Sequence, residues 1–216
     1  MDLDVEFFIK KFNVSRETIE KLNKYKDFLL SSNKSLNLIG KTTENQIFTR
    51  HFADSAQIYD LIEDKSEIVD LGSGAGFPGV ILKILMDNNK IAGNITLIDK
   101  SPKKCKFLQD LSDKLGLTLK IVNLKIENFK FNKISTIVSR AFKKTVDTID
   151  ILFKNNDKIR NIILMKGKTY QHELEEAKKK YTFDVEKFRS ITSDESYILK
   201  ISNIKLNTTK GCRCLG

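Results

Sequence analysis

The chain has no tryptophan, only two prolines and only three cysteines in 216 residues. Cys105, Cys212 and Cys214 form no even disulfide framework, which excludes a stapled secreted scaffold and predicts a reducing, cytoplasmic setting. Cys212 and Cys214 have no second pair of thiols to complete a zinc site, so no metal is expected. No apolar run approaches the ~20 residues that span a bilayer. The acidic start, with Asp2 and Asp4, does not suit a secretory signal, so no membrane partner is expected. Repeats, long linkers and low-complexity tracts are also missing, which predicts one α/β unit.

Charge of one sign is plentiful. Lysine and arginine number 38 against 28 acidic residues, a net charge of +10, while hydrophobic content is an ordinary 40%. That excess suits a polyanionic partner such as nucleic acid. A chain crowded with Lys, Asn and Ile is also basic through composition alone, so charge by itself does not decide.

The chain is organised around residues 67–79. A short apolar run (Ile68, Val69, Leu71) meets Asp70 and then four glycines in eight positions: Gly72, Gly74, Gly76 and Gly79. An apolar run of helical length follows, with Val80, Ile81, Leu82, Ile84 and Leu85. This pattern predicts a buried parallel strand, a tight turn and a helix whose N-terminus faces a ligand. Gly74, Gly76 and Gly79 spell the dinucleotide fingerprint G-x-G-x-x-G. Asp70, Gly72, Gly74 and Gly76 spell D-x-G-x-G-x-G, which is similar to the first motif of S-adenosylmethionine-dependent methyltransferases. A carboxylate beside the loop repels a pyrophosphate and attracts a sulfonium and an ammonium, so Asp70 favours the second.

Before this stretch, Ser15 is a helix N-cap, followed by Ile19, Leu22, Tyr25 and Leu29 at helical spacing. Residues 33–38 break that rhythm and read as a structured loop. A second helix is predicted over residues 43–61, carrying Arg50, His51 and Asp54. Arg50 and Asp54, four apart, are placed to pair with each other. Residues 1–62 are thus expected to form an N-terminal helical cap within the same unit, followed by a catalytic domain over 63–204 and a basic tail over 205–216.

From Glu67 onward strands alternate with helices, which predicts a right-handed parallel sheet. Strands are expected at 68–71, 95–98, 119–122, 134–138 and 161–165. A closing antiparallel hairpin is expected from 182–191 and 197–202. Asp99 ends the second strand, twenty positions after Gly79, where a carboxylate can accept bonds from ribose hydroxyls. Ser101 and Pro102 begin the next helix, which Gly116 stops. Residues 124–129 form a loop at the ligand-bearing edge suited to an adenine. Ser139-Arg140-Ala141-Phe142 follows the fourth strand, where amine-modifying nucleic acid methyltransferases carry Asn/Asp-Pro-Pro-aromatic; amine methylation is therefore disfavoured. Arg140 offers a planar fork for a carboxylate or phosphate, or a structural salt bridge.

Taken together, several pieces resemble one family. They are Leu36-Asn37-Leu38; Arg50-His51 with Asp54-Ser55; the glycine turn extended by Phe77-Pro78-Gly79; Asp99 followed by Lys103 and Phe107-Leu108; Ser139-Arg140-Ala141; and Leu164-Met165-Lys166-Gly167. This combination, over roughly residues 20–202, is similar to the RsmG (GidB) family of bacterial 16S ribosomal RNA methyltransferases. The resemblance implies a Rossmann-like, seven-stranded class I methyltransferase sheet. It implies methyl transfer from S-adenosylmethionine to N7 of guanine 527, in the 530 loop of the 16S rRNA of the small ribosomal subunit. It further implies that Gly72 and Phe77 contact the cofactor, that Ile126 and Glu127 flank its adenine, and that Arg140 stands at the site edge as the catalytic candidate. A monomer is expected. The chain departs from the family pattern at Glu195-Ser196-Tyr197, where members often carry Glu-Arg-His, and in lacking a proline-bearing basic tail.

The implied chemistry suits these residues. Guanine N7 has a free lone pair and no proton, so alignment, rather than a general base, is what the protein must supply. The competing readings are a small-molecule methyltransferase or other RNA methyltransferase, an NAD(P)-binding reductase using the G-x-G-x-x-G spelling, and a non-catalytic RNA-binding factor. Replacing Arg140 by alanine is expected to lower turnover with little loss of stability, because arginines at strand ends are rarely core.

Overall fold

The computed structural model describes residues 3–131, 136–155 and 161–207. Helix α1 (Leu3–Phe12) and the long α2 (Arg16–Leu36) open the cap. Ser15 caps α2 by accepting from the Thr18 amide at 3.2 Å. The break expected at Asn33 does not occur. Asn33 is buried inside α2, and its amide satisfies both backbone groups of Ile39, accepting from N at 2.9 Å and donating to O at 3.1 Å. Asn37, at φ 48°, closes the helix instead.

The predicted helix over 43–61 is broken into a 3₁₀ turn (Lys41–Gln46), a π-helical turn (Phe48–Ala53), the short α3 (Asp54–Ala56) and a second 3₁₀ turn (Tyr59–Leu61). Phe48, His51 and Phe52, at i, i+3 and i+4, are all buried in the core.

A seven-stranded sheet follows in the order β3-β2-β1-β4-β5-β7-β6. Its strands are β1 (Glu67–Leu71), β2 (Asn94–Asp99), β3 (Lys120–Asn123), β4 (Thr136–Arg140), β5 (Asn161–Lys166), β6 (Tyr181–Arg189) and β7 (Tyr197–Leu206). The first five are parallel and β7 runs antiparallel between β5 and β6. The residues predicted to begin strand four at 134 lie outside the described ones. β7 continues through Lys205 and Leu206, two residues into the stretch read as tail, and 208–216 lie outside the described residues.

Alternation along each strand divides the core in two. Ile68, Val138, Ile163 and Met165 join one cluster with the cap, with α4 (Gly79–Asn88) and with α5 (Pro102–Leu115). Val69, Leu71, Ile137, Ile162 and Leu164 join the other, with α6 (Thr145–Asn155) and α7 (Tyr170–Lys180). The parity that sends Ile68 to the cap side sends Asp70 there too. Strand order reverses between β1 and β4, so a crevice opens at their carboxyl ends, where open α/β sheets bind ligands.

Candidate active site

The turn after β1 is fastened on several sides. The Gly72 and Ser73 amides donate to the Ile98 carbonyl at 2.8 and 3.1 Å, and the Gly74 amide donates to Asp99 Oδ2 at 3.0 Å. From the cap, the Tyr25 hydroxyl donates to the Ala75 carbonyl at 2.6 Å. Gly76 has φ 100°, and a Cβ there would fall 2.5 Å from Val80 and 2.8 Å from the Tyr25 hydroxyl, so only glycine lets the cap reach the turn.

Asp70 is where the structure departs from the electrostatic argument. Its side chain is fully buried beneath the turn, and Oδ2 accepts from the Gly79 amide at 2.9 Å. Burial pushes its carboxyl up to about 8, so at neutral pH it is largely uncharged. A carboxylate repelling pyrophosphate across the loop is therefore not present. Its other oxygen, Oδ1, is buried with no hydrogen-bond partner among the described residues.

Around the turn lies a cleft of about 730 Å³ at the ends of β1, β2 and β3. Gly72, Asp99, Ile126 and Glu127 all line it, together with Leu124 and Phe142. Asp99 is held by the Gly74 amide and, through Oδ1, by the Ser101 amide at 2.8 Å. Each of its oxygens retains a lone pair for a further donor. Ile126 and the exposed Leu124 make an apolar wall. Glu127 pairs with Lys143 at 3.3 Å across the cleft mouth. A hydrogen bond with its own backbone, followed by Lys143, holds its carboxyl below the usual range.

Two of the predicted site residues stand elsewhere. The Phe77 ring, joined to Pro78 by a cis peptide, points to the cap rather than into a cleft. It stacks on Tyr25 and His51, with centroids 5.6 and 5.2 Å away. Arg140 lies over the Phe77 face at 5.5 Å. Its fork is taken by the protein: Nε pairs with Asp54 Oδ2 at 2.8 Å, Nη2 donates to the Arg50 carbonyl at 2.9 Å, and Nη1 reaches His51 Nδ1 at 3.2 Å. The salt-bridge alternative for Arg140 is the arrangement found, and the expected Arg50–Asp54 pair gives way to it. Arginine can only donate, so His51 Nδ1 is the acceptor and Nε2 carries the proton towards Thr43 Oγ1 at 2.8 Å. Burial, then Arg140 and Arg50, lower the His51 pKa to about 3, so the ring is neutral.

Arg140 also borders a second cleft of about 430 Å³, which meets the first along Ala141, Phe142 and Lys143. Arg50, Lys144, Ser196 and Tyr197 are among its walls. Sequence reasoning missed Gln57 and Thr192, which help build this wall, and gave Asp54 the wrong partner, because the bonds join positions more than 130 apart. Among the described residues no cluster of side chains could hold a metal, and no helix is long and apolar enough to cross a membrane. Cys212 and Cys214 lie outside the described residues.

Comparison with known proteins agrees with this architecture. The family described as rRNA small subunit methyltransferase G matches residues 18–199. The ribosomal RNA small subunit methyltransferase G of Pelagibacter ubique is 36% identical over 200 residues, covering 91% of this chain and 94% of that protein. Its Rickettsia felis counterpart is 37% identical over 192 residues, covering 88% and 96%. Among solved structures, the ribosomal protein L11 methylase of Lactobacillus delbrueckii superposes with a TM-score of 0.52 at 16% identity, covering 76% of this chain and 80% of the other. TrmK of M. capricolum, in complex with S-adenosyl-homocysteine, gives 0.50 at 18% identity, covering 71% and 68%. The structural likenesses establish a shared fold, and the sequence match establishes kinship: the chain belongs to the rRNA small subunit methyltransferase G family.

Proposed function

We propose that this protein transfers a methyl group from S-adenosylmethionine to N7 of guanine 527, in the 530 loop of 16S rRNA, acting as a cytoplasmic monomer on the small ribosomal subunit. The observation that carries this reading is the family match over residues 18–199, which spans the glycine turn, Asp99 and the segment from Ser139 to Phe142.

The residues present suit the cofactor. Asp70 Oδ1 is a buried polar atom without a partner among the described residues, and such an atom is costly until one arrives. A Cβ added at Gly74 would meet only the Gly72 carbonyl, at 3.7 Å, so that side of the turn has room for a ligand. In this reading Asp99 holds the ribose hydroxyls, Ile126 and Leu124 cover the adenine, Glu127 lies at its polar edge, and Gly72 lets the chain approach closely. Phe77 and Arg140 act from behind: they lock the turn and the end of β4 to the cap.

When bound, S-adenosylmethionine supplies a methyl carbon on a sulfonium, already a strong electrophile. The protein's task is therefore to align and to exclude water, and good alignment contributes on the order of 7 kcal/mol or more. N7 gives up no proton when it is methylated, so the step needs no general base. N7 sits on the major-groove edge, inaccessible in A-form RNA, so the acceptor is an unpaired or splayed guanine.

The test compares nucleosides from the small-subunit RNA of cells with and without this protein. N7-methylguanosine should disappear with the protein and return on complementation. Its persistence in the deleted strain overturns the reading.

A further inference from the structure

The second cleft has no role yet. It is walled by segments far apart in sequence: the cap, the ends of β4 and β5, Glu173 of α7, and the turn between β6 and β7 with the start of β7. The turn is tied down before any ligand arrives. Thr192 Oγ1 donates to Asp54 Oδ1 at 2.7 Å, the Ile191 amide donates to Gln57 Oε1 at 2.9 Å, and Arg50 Nη1 donates to the Thr192 carbonyl at 3.2 Å. A wall braced in this way is pre-organised, which lowers the entropic cost of binding.

The charges inside this cleft are not balanced. Asp54 is consumed by Arg140 and Thr192, and Glu173 by Lys166 at 2.9 Å and by Thr145. Arg50 and Lys144 are left with no carboxylate at ion-pair distance among the described residues, and both stand at the rim. The interior is different. Met165 and Ile198 are apolar, and the Tyr197 ring is stiffened by stacking on Tyr170 with centroids 4.2 Å apart. Ser193 and Ser196 add hydroxyls that can donate or accept. Cations outside, a flat apolar surface within and hydroxyls at the edge match one nucleotide of a single strand: phosphates outside, a ring within. The cleft opens onto the cofactor cleft only along Ala141, Phe142 and Lys143.

We propose that this second cleft seats the acceptor base of an unpaired purine nucleotide in an RNA strand, with the flanking phosphates on Arg50 and Lys144. This assignment rests on the methyltransferase reading, which makes the neighbouring cleft the donor side. The cap is then one wall of the acceptor site as well as a cover for the core.

The experiment uses the full chain and a short guanosine-containing single-stranded RNA, followed by fluorescence anisotropy, with cofactor affinity measured separately by calorimetry. Lys144→Ala removes a rim cation, and Ser196→Trp fills the cleft. Lys178→Ala, on the solvent face of α7, removes the same charge elsewhere. Both cleft variants should weaken RNA binding about fivefold or more, while Lys178→Ala and cofactor affinity change less than twofold. Lys144→Ala should also lower the log–log salt slope by about 0.7, the share of one phosphate on a single strand. Unchanged RNA affinity in both cleft variants overturns the assignment even where methyl transfer by the wild type is intact. Loss of RNA binding in both, with no methyl transfer by the wild type, leaves the cleft standing and removes the enzymatic reading.

Discussion

Replacing Arg140 by alanine tests the role the structure gives this residue. The side chains of Arg140 and Asp54 are only 21% and 13% exposed, and their contact is 2.8 Å. Removing the guanidinium takes the donor from Asp54 Oδ2, the Arg50 carbonyl and His51 Nδ1, while Asp54 Oδ1 keeps Thr192 and Gln57. Breaking a wholly buried ion pair from one side costs about 3–5 kcal/mol. The residual solvent at this pair puts the loss at the lower end, about 3 kcal/mol. For a chain of this size that corresponds to a fall in Tm of about 6–12 °C. Calorimetric melting measures it directly, and Arg140→Lys, which keeps the charge but not the fork, should recover part of the loss. A melting point within about 2 °C of wild type for Arg140→Ala would refute the bracing role and restore the sequence-based expectation of a purely catalytic arginine.

Three further outcomes follow from the same geometry. Asp70 has a folded pKa raised to about 8, so it contributes most to stability below the unfolded carboxylate range and loses that contribution as pH rises towards 8. Asp70→Asn keeps an acceptor for the Gly79 amide, so denaturant titrations should find it more stable than wild type at pH 8.5, with a smaller advantage at pH 5. An equal loss at both would contradict this. His51 is the opposite case: its folded pKa of about 3 means that stability is present above the usual 6.5 and declines as pH falls below it. The decline is at most about 1.4 kcal/mol per pH unit, and it should flatten in His51→Gln, read by the same titrations at pH 7 and 5. Finally, binding to small-subunit RNA should weaken steeply with salt, by about 0.7 in the log–log slope per single-strand phosphate contacted; a flat response in filter binding would favour a small-molecule acceptor.

The parts of this molecule encoded by neighbours in sequence were legible, and those encoded by distant partners were not. The strand, glycine turn and helix of residues 67–88, the carboxylate at Asp99 and the Ser15 and Ser101 caps all follow from local backbone needs, and all are found. The four-residue spacing of Arg50 and Asp54 suggested a pair, but it holds no information about Arg140, which arrives from β4 and takes Asp54. Asp70 was placed correctly on its strand, yet its orientation depends on which face the cap covers, a tertiary fact. The π turn was invisible because a periodicity argument assumes the period it seeks. Ring stacking between Phe77 and the cap likewise needed the fold before it could be seen.

The most direct test of the account is a reconstituted transfer with purified protein, labelled S-adenosylmethionine and small subunits from cells lacking this methylation, followed by nucleoside mass spectrometry of the RNA. The account predicts label in N7-methylguanosine at a single position, guanine 527. Label on another atom or another base, or none despite intact cofactor binding, contradicts it.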